Sequence, residues 1–270
     1  MKKQGGLEQG IQYRIFRSEP VILMMLIIAI YACDNGCDPP VDFPPQGTFT
    51  DSRDNREYRY LTIGTQVWMG ENLAWLPEVT HPDSASLVKK CYYVCGYYGE
   101  SVTVAKSSQA YAAVGVRYNW PAAVNGGSGT GDTLVGEQGA CPPGWHVPGD
   151  QEWAILEQYL GMSEGETQKD GWRYSGDVGG KLKEAGYTHW AQPNFGATDS
   201  SGFTAIPGGS NNRTAGLCVL TKGEGATFWT ATNYNTTQSW YRSLSHIDAG
   251  IGRHRNFYNE SHSLRCLKNS

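Results

Sequence analysis

The chain lacks most of the features that announce a chemistry. Charged residues make up only 18% of it and the formal net charge is −4, so the basic patch of a nucleic-acid binder is missing. The gap between Cys91 and Cys95 is too wide for a redox or zinc Cys-x-x-Cys pair, and no second pair matches it. His81, His146, His189, His246, His254 and His262 are scattered, with no nucleophile, base and orienting acid set together. Spacing offers no third metal ligand beside His254 and His262. The run Asp51–Asn55 lacks both the spacing and the closing acid of a calcium loop, and reads as a turn. Gln192-Pro193-Asn194 imitates one triplet of a calcium-dependent sugar site, but the Trp-Asn-Asp that should follow is absent. The expectation is no enzyme, no cofactor and no metal. What remains open to the chain is non-covalent binding or a structural role.

What is present is glycine and aromatic surface: Gly 34, Trp 9 and Tyr 16 in 270 residues, the composition of a turn-rich globule. The N-terminus reads as an address. Lys2, Lys3, Arg14 and Arg17 precede the apolar run Val21–Ile30, which falls short of the roughly 20 residues that span a bilayer. Basic flank, short apolar core and small residue before the break make a secretory signal. Ile30-Tyr31-Ala32-Cys33 resembles a bacterial lipoprotein box, which implies lipidation at Cys33 and removal of residues 1–32; ordinary cleavage nearby and an uncleaved anchor are the alternatives. Residues 33–47, with paired prolines at Pro39-Pro40 and Pro44-Pro45, form an extended tether. Cys37 lies in it.

Residues 48–270 read as one domain organised around the stretch 140–160. Pro142, Pro143 and Pro148 stiffen a loop that feeds a helix, with Gly149 at the N-cap and Asp150 and Glu152 at its positive end. Trp153, Leu156, Tyr159 and Leu160 recur at helical spacing and should form its buried face. His146, between Trp145 and Pro148, reads as a packed loop histidine. A hairpin turns at Gly64-Thr65, between Tyr58–Ile63 and Val67–Met69. Residues from about 77 to 110 read as an insertion of loop and short strands, where Cys91 and Cys95 pair locally or one of them pairs with Cys218. Pro121 starts a short helical turn after Asn119. A second short helix over Gly179–Ala185 ends at Gly186. Strands follow at 228–232, 240–244, 251–257 and 263–267. Two helices within a largely antiparallel set of strands make the fold class α+β.

Ordered motifs then carry a resemblance: Gly64-Thr-Gln-Val-Trp-Met-Gly-Glu-Asn-Leu73, Tyr118-Asn-Trp-Pro-Ala-Ala123, Cys141-Pro-Pro-Gly-Trp-His-Val-Pro148, Gly179-Gly-Lys-Leu-Lys183, Gly202-Phe-Thr-Ala-Ile-Pro-Gly-Gly209, Phe228-Trp-Thr-Ala-Thr232 and Leu264-Arg-Cys266. From about Thr48 to Asn269 the chain resembles the Fibrobacter succinogenes major paralogous domain family, typically bacterial envelope lipoproteins of unassigned biochemical role. The helix that follows the proline loop and the closing Arg-Cys strand also look like the C-type lectin-like fold, shared with formylglycine-generating enzymes and with variable receptors. That likeness implies a disulfide between Cys141 and Cys266. The enzyme reading needs a reactive cysteine pair near the groove, which neither Cys266 nor Cys91 and Cys95 supply.

The segment 233–262 is the candidate recognition surface, because Tyr, Asn, Ser and Arg join rigid aromatic area to adaptable hydrogen bonding. Its ligand-binding candidates are Tyr234, Asn235, Tyr241, Ser243, His246, Asp248, Arg253, Arg255, Asn256 and Tyr258. Trp240, Arg242 and Leu244 share one strand face, set inward by its apolar members, which leaves Tyr241, Ser243 and Ser245 on the other. The expected partner is an extracellular protein or glycan, met at the bacterial cell envelope, with the membrane touched only through the lipid and no nucleic acid involved. Variable receptors of the resembled fold use the same region, so sequence diversification of this segment is a further implication. The alternative of a different class is a structural or adhesion- and fimbria-associated envelope protein without a specific ligand.

Overall fold

A computed structural model describes residues 46–126, 138–208, 210–211, 218–219 and 223–269, of which 210, 211, 218 and 219 are described by backbone alone. The export segment, Cys33, Cys37 and almost all of the tether lie outside them. The elements in chain order are β1 (Gln46–Asp51), β2 (Arg56–Ile63), β3 (Gln66–Met69), β4 (Tyr92–Tyr93), α1 (Val102–Lys106), α2 (Gln109–Val114), β5 (Arg117–Asn119), α3 (Trp120–Ala123), β6 (Trp145–His146), α4 (Asp150–Tyr159), α5 (Glu164–Thr167), β7 (Gly171–Arg173), α6 (Val178–Leu182), β8 (Ser210–Asn211), β9 (Cys218–Val219), β10 (Gly225–Asn233), β11 (Gln238–Ser245), β12 (Ile251–Phe257), β13 (Ser261–His262) and β14 (Leu267–Lys268). The architecture is α+β. One sheet runs β1-β2-β3-β14-β6, a second β10-β11-β12-β7, and a small third β13-β5-β4, all with antiparallel pairs.

Helix α4 joins the first two sheets. Its Trp153 ring meets Trp68 of β3 at 5.0 Å and Phe228 of β10 at 5.8 Å between centroids. Leu156 and Leu160 are buried in the same cluster, and burying a leucine is worth about 1.5–3 kcal/mol. Tyr159 is the exception to the predicted stripe, 65% exposed. It sits at the rim of the buried arc, and its ring lies over Gly64 in the β2–β3 turn, where φ is +62° and a Cβ would come within 2.7 Å of the ring. The helix starts as expected at Gly149, whose N–H donates to Glu152 Oε2 at 2.7 Å. The next amide, Asp150 N–H, donates to Thr232 Oγ1 of β10 at 2.9 Å, so the second sheet caps the helix.

A second core lies around Tyr118, Trp120, Trp229 and Leu264. It holds the disulfide between Cys141 and Cys266, which closes a loop of 125 residues and anchors the loop before α4 to the approach to β14. His146 is packed, as expected, between Glu152 Oε1 at 2.9 Å and Asn269 Oδ1 at 2.7 Å. Burial opposes its protonation, but Glu152 outweighs that and raises its pKa.

Three local expectations are corrected. Cys91 and Cys95 do not pair: Cys91 is a free buried thiol and Cys95 is disulfide-bonded, while the Cys218 side chain lies outside the described residues. The stretch 77–110 holds helix α1 and the start of α2 besides the short strand β4; Ser101 and Ser108 cap these helices by accepting from Val104 N–H and Tyr111 N–H. Helix α6 stops at Leu182, before Gly186. Lys183 turns extended, and its buried ammonium donates to the carbonyls of Phe195, Ser245 and Asp248 at 2.8–2.9 Å. Burial lowers its pKa to about 8.

Candidate ligand-binding surface

The second sheet has two chemically different faces. Toward α4 it carries a chain of alternating charge. Arg173 of β7 reaches Glu157 at 2.5 Å, Glu157 meets Arg242 of β11 at 2.6 Å, and Arg242 meets Asp150 at 2.6 Å. Asp150 also binds Arg253 of β12 at 2.7 Å, Arg253 binds Asp170 at 3.0 Å, and Asp170 binds Arg255 at 3.3 Å. Burial alone would raise the Asp150 pKa, but Arg242 and Arg253 outweigh it and hold the carboxyl below its usual range. The chain starts in the interior and ends at Arg255, whose guanidinium lies 4.3 Å from the Tyr234 ring centroid at the surface. Trp240 is covered by Arg253 at 3.6 Å and met edge-on by Tyr234 at 5.2 Å.

The opposite face is aromatic. Trp172 of β7, 38% exposed, meets His254 of β12 edge-on at 5.6 Å, and His254 tilts against Tyr241 of β11 at 5.7 Å. Tyr241 in turn stacks on the buried His262 at 4.4 Å, and His262 meets Trp229 edge-on at 4.1 Å. Ser243 Oγ, beneath this row, is buried without a hydrogen-bond partner. Gly252 lies below it: a Cβ there would come within 2.2 Å of Ser243 Oγ and 2.4 Å of His254 Nε2. Both polar atoms therefore converge over one glycine, which only a residue without a side chain allows. Burial and nearby Arg173 lower the His254 pKa, so the ring is neutral at pH 7.

His262 adds a pH dependence. Burial and Arg117 push its pKa well below the usual histidine range. The unfolded chain takes up that proton below about pH 6.5 while the folded chain does not, so stability falls as pH falls, at about 1.4 kcal/mol per pH unit for one proton. His146, with its raised pKa, acts in the opposite sense and retains its contribution in acid. Replacing His262 with Phe should flatten the slope of unfolding free energy between pH 6 and 4.5 by about one proton, read from denaturant titrations at each pH. An unchanged slope would mean that the folded state protonates His262 after all.

The ten residues expected to form one patch do not all reach the surface. Arg253 and Ser243 are buried, the first in the ionic chain and the second under the aromatic row. Tyr258 is buried as well: its ring stacks on Trp120 at 4.1 Å and its hydroxyl donates to the Asn235 carbonyl. Asn235 is exposed, but its Oδ1 is occupied by the amides of Thr237 and Gln238, which shape the β10–β11 turn. His246 and Asp248 sit in the β11–β12 turn; the His246 ring contacts the Glu224 carbonyl, and Asp248 accepts from Gly250 N–H. The length of β11, about 23 Å at 3.3 Å per residue, separates them from Tyr234, Asn235 and Arg255. Tyr241 and Asn256 are half-buried beside His254. As the strand alternation required, Trp240, Arg242 and Leu244 face inward.

Trp172 was not among the expected residues, and His254, although inside the segment 233–262, was not one of the ten candidates. Trp172 lies in a segment that reads as polar, 170–176, and no periodicity in three residues announces an edge strand; its pairing with β12 at Trp172↔Gly252 puts it on the sheet. Among the described residues no group of three or more His, Cys, Asp or Glu could hold a metal ion. In the Gln192-Pro193-Asn194 triplet, the Asn194 amide donates to the carbonyls of Glu184 and Gly186 at 2.9 and 2.7 Å, which fixes its own loop.

Compared with known proteins, residues 61–268 match the family model described as Fibrobacter succinogenes major domain. No curated protein and no solved structure matches the chain.

Proposed function

The chain belongs to the Fibrobacter succinogenes major domain family, and from that premise we propose that it is a lipid-anchored envelope protein of C-type lectin-like fold. Its second sheet binds an extracellular protein or glycan without covalent chemistry. One observation carries this reading: the row Trp172–His254–Tyr241 crosses three strands, stays partly open, and overlies a serine hydroxyl that the protein leaves unpaired. A buried polar group without a partner costs roughly 1–3 kcal/mol. A ligand hydroxyl or amide reaching Ser243 would recover part of that, while the rings supply apolar contact at little entropic cost. Lipid attachment rests on Cys33 and the run before it.

Screening of the full chain against a glycan array and by pull-down from an envelope extract should return a ligand. Changing Trp172 and Tyr241 together to Ala should weaken its binding by at least 30-fold, since central aromatic anchors typically contribute about 2 kcal/mol or more. A ligand held equally well by this variant, with its near-ultraviolet dichroism intact, would move the site elsewhere. No ligand at all from a folded protein would favour a structural envelope role.

A further inference from the structure

Away from the second sheet, a groove of about 220 Å³ opens beside β2 and β3. Its walls include Arg56, Arg59, Glu71, Glu184 and His189, and Arg265 lines it from the interior. The charges do not balance. Arg59 pairs with Glu71 at 3.3 Å and His189 with Glu184 at 2.8 Å, so both carboxylates already have partners. Arg265 is buried, yet no carboxylate lies within ion-pair distance of it among the described residues. It bonds Asn72 Oδ1 through Nε at 2.8 Å, the carbonyls of Met69 and Phe203 through Nη1, and the Thr204 carbonyl through Nη2 at 2.9 Å. Those four bonds leave one of its five N–H donors. Arg56, half-buried, has no carboxylate partner either, and its guanidinium lies 5.4–5.5 Å from the Tyr58 and Tyr111 ring centroids. Every buried arginine of the ionic chain meets a carboxylate; Arg265 does not.

The geometry points to a binding site for a sugar acid, a hexuronate whose carboxylate lies toward Arg56 and Arg265 and whose hydroxyls meet the groove's carboxylates. Charge selects a monoanion. The guanidinium groups of Arg56, Arg59 and Arg265 outnumber the two carboxylates by one, and a dianion would be repelled by Glu71 and Glu184. The same two acids suit hydroxyls, since a carboxylate oxygen accepts hydrogen bonds from them. Size agrees: at about 30 Å³ per water the groove holds roughly seven waters, the scale of one sugar ring. Burial and the neighbouring Arg59 press the Arg265 pKa down to about 9, as expected for a cation awaiting a counter-charge.

The test is calorimetric titration of the full chain with sodium glucuronate and galacturonate, beside glucose, acetate and sulfate. A hexuronate should bind saturably and at least tenfold more tightly than glucose, acetate or sulfate. Arg56→Gln should weaken it at least tenfold, and Ala112→Trp, at an exposed wall position, should abolish it by filling the groove. Trp172→Ala should leave it unchanged, which separates this site from the sheet face. Absence of saturable binding, equal binding of glucose or acetate, or indifference to Arg56→Gln would each overturn the assignment.

Discussion

Replacing Arg242 with Met should destabilise the fold by about 3–5 kcal/mol, the usual cost of leaving buried charges without their partner. Arg242 is fully buried and links two of the three carboxylates of α4, with Nε to Glu157 Oε1 and Nη1 to Asp150 Oδ1, both at 2.6 Å. Removing it leaves Asp150 to Arg253 alone and Glu157 to Arg173 alone. The net charge of the cluster then shifts by one at a site where Arg242, Asp150 and Glu157 are all buried. Because a domain's total stability is about 5–15 kcal/mol, the variant should lie close to its unfolding limit at 37 °C. Urea titration monitored by tryptophan fluorescence reads the effect directly. Adding Glu157→Gln to Arg242→Met should deepen the loss, because Glu157 is the carboxylate that Arg173 meets and the buried guanidinium is then left without it. A change below about 1 kcal/mol would show that water or rearranged side chains reach these groups.

Replacing both Cys141 and Cys266 with Ser should cost roughly 4–5 kcal/mol by the chain-entropy account, because the bridge closes 125 residues of chain. The double change avoids leaving a lone thiol. Both side chains are buried, so the serine hydroxyls add a smaller penalty for polar burial. The unfolding midpoint of the variant should lie well below that of the oxidised wild-type protein, and in strong reductant, which also opens the Cys95 bridge, the two proteins should unfold at closely similar midpoints. Coincident midpoints for oxidised protein and double variant would mean that the pairing of β6 with β14 and the core around Tyr118, Trp120, Trp229 and Leu264 hold these segments together unaided.

The two effects act on different states of the chain. The arginine change acts on the folded state by exposing an electrostatic debt, whereas the disulfide change acts mainly on the unfolded ensemble. Salt and pH should therefore alter the first more than the second. Below the ordinary carboxylate range, protonation of Asp150 weakens its pairs with Arg242 and Arg253, so the folded-state advantage present at neutral pH is lost as pH falls through its depressed pKa.

Local patterns located many of the elements. The Gly64-Thr65 hairpin, the helix after Gly149 and the strands at 225–257 follow from alternation, helical spacing and turn residues, which act over a few neighbours. Helices α1 and α2 were missed because five and six residues hold too little periodicity, and serine caps read equally well as loop. Tyr159 satisfied the helical spacing but fell at its rim, since a three-residue offset cannot say how wide the covering surface is. Asp150 was legible as a charge at a helix start; that it anchors two arginines from strands some 90 to 100 residues away was not.

What the sequence determined by itself is the α+β class, the family likeness, the central helix and which face of β11 turns inward, because each depends on contacts a few residues apart. Tertiary structure alone decided that Arg253, Ser243 and Tyr258 are buried while Trp172 and His254 are partly exposed. Burial is a property of everything packed against a side chain, and those neighbours come from α3, α4 and β7, up to about 140 residues away along the chain.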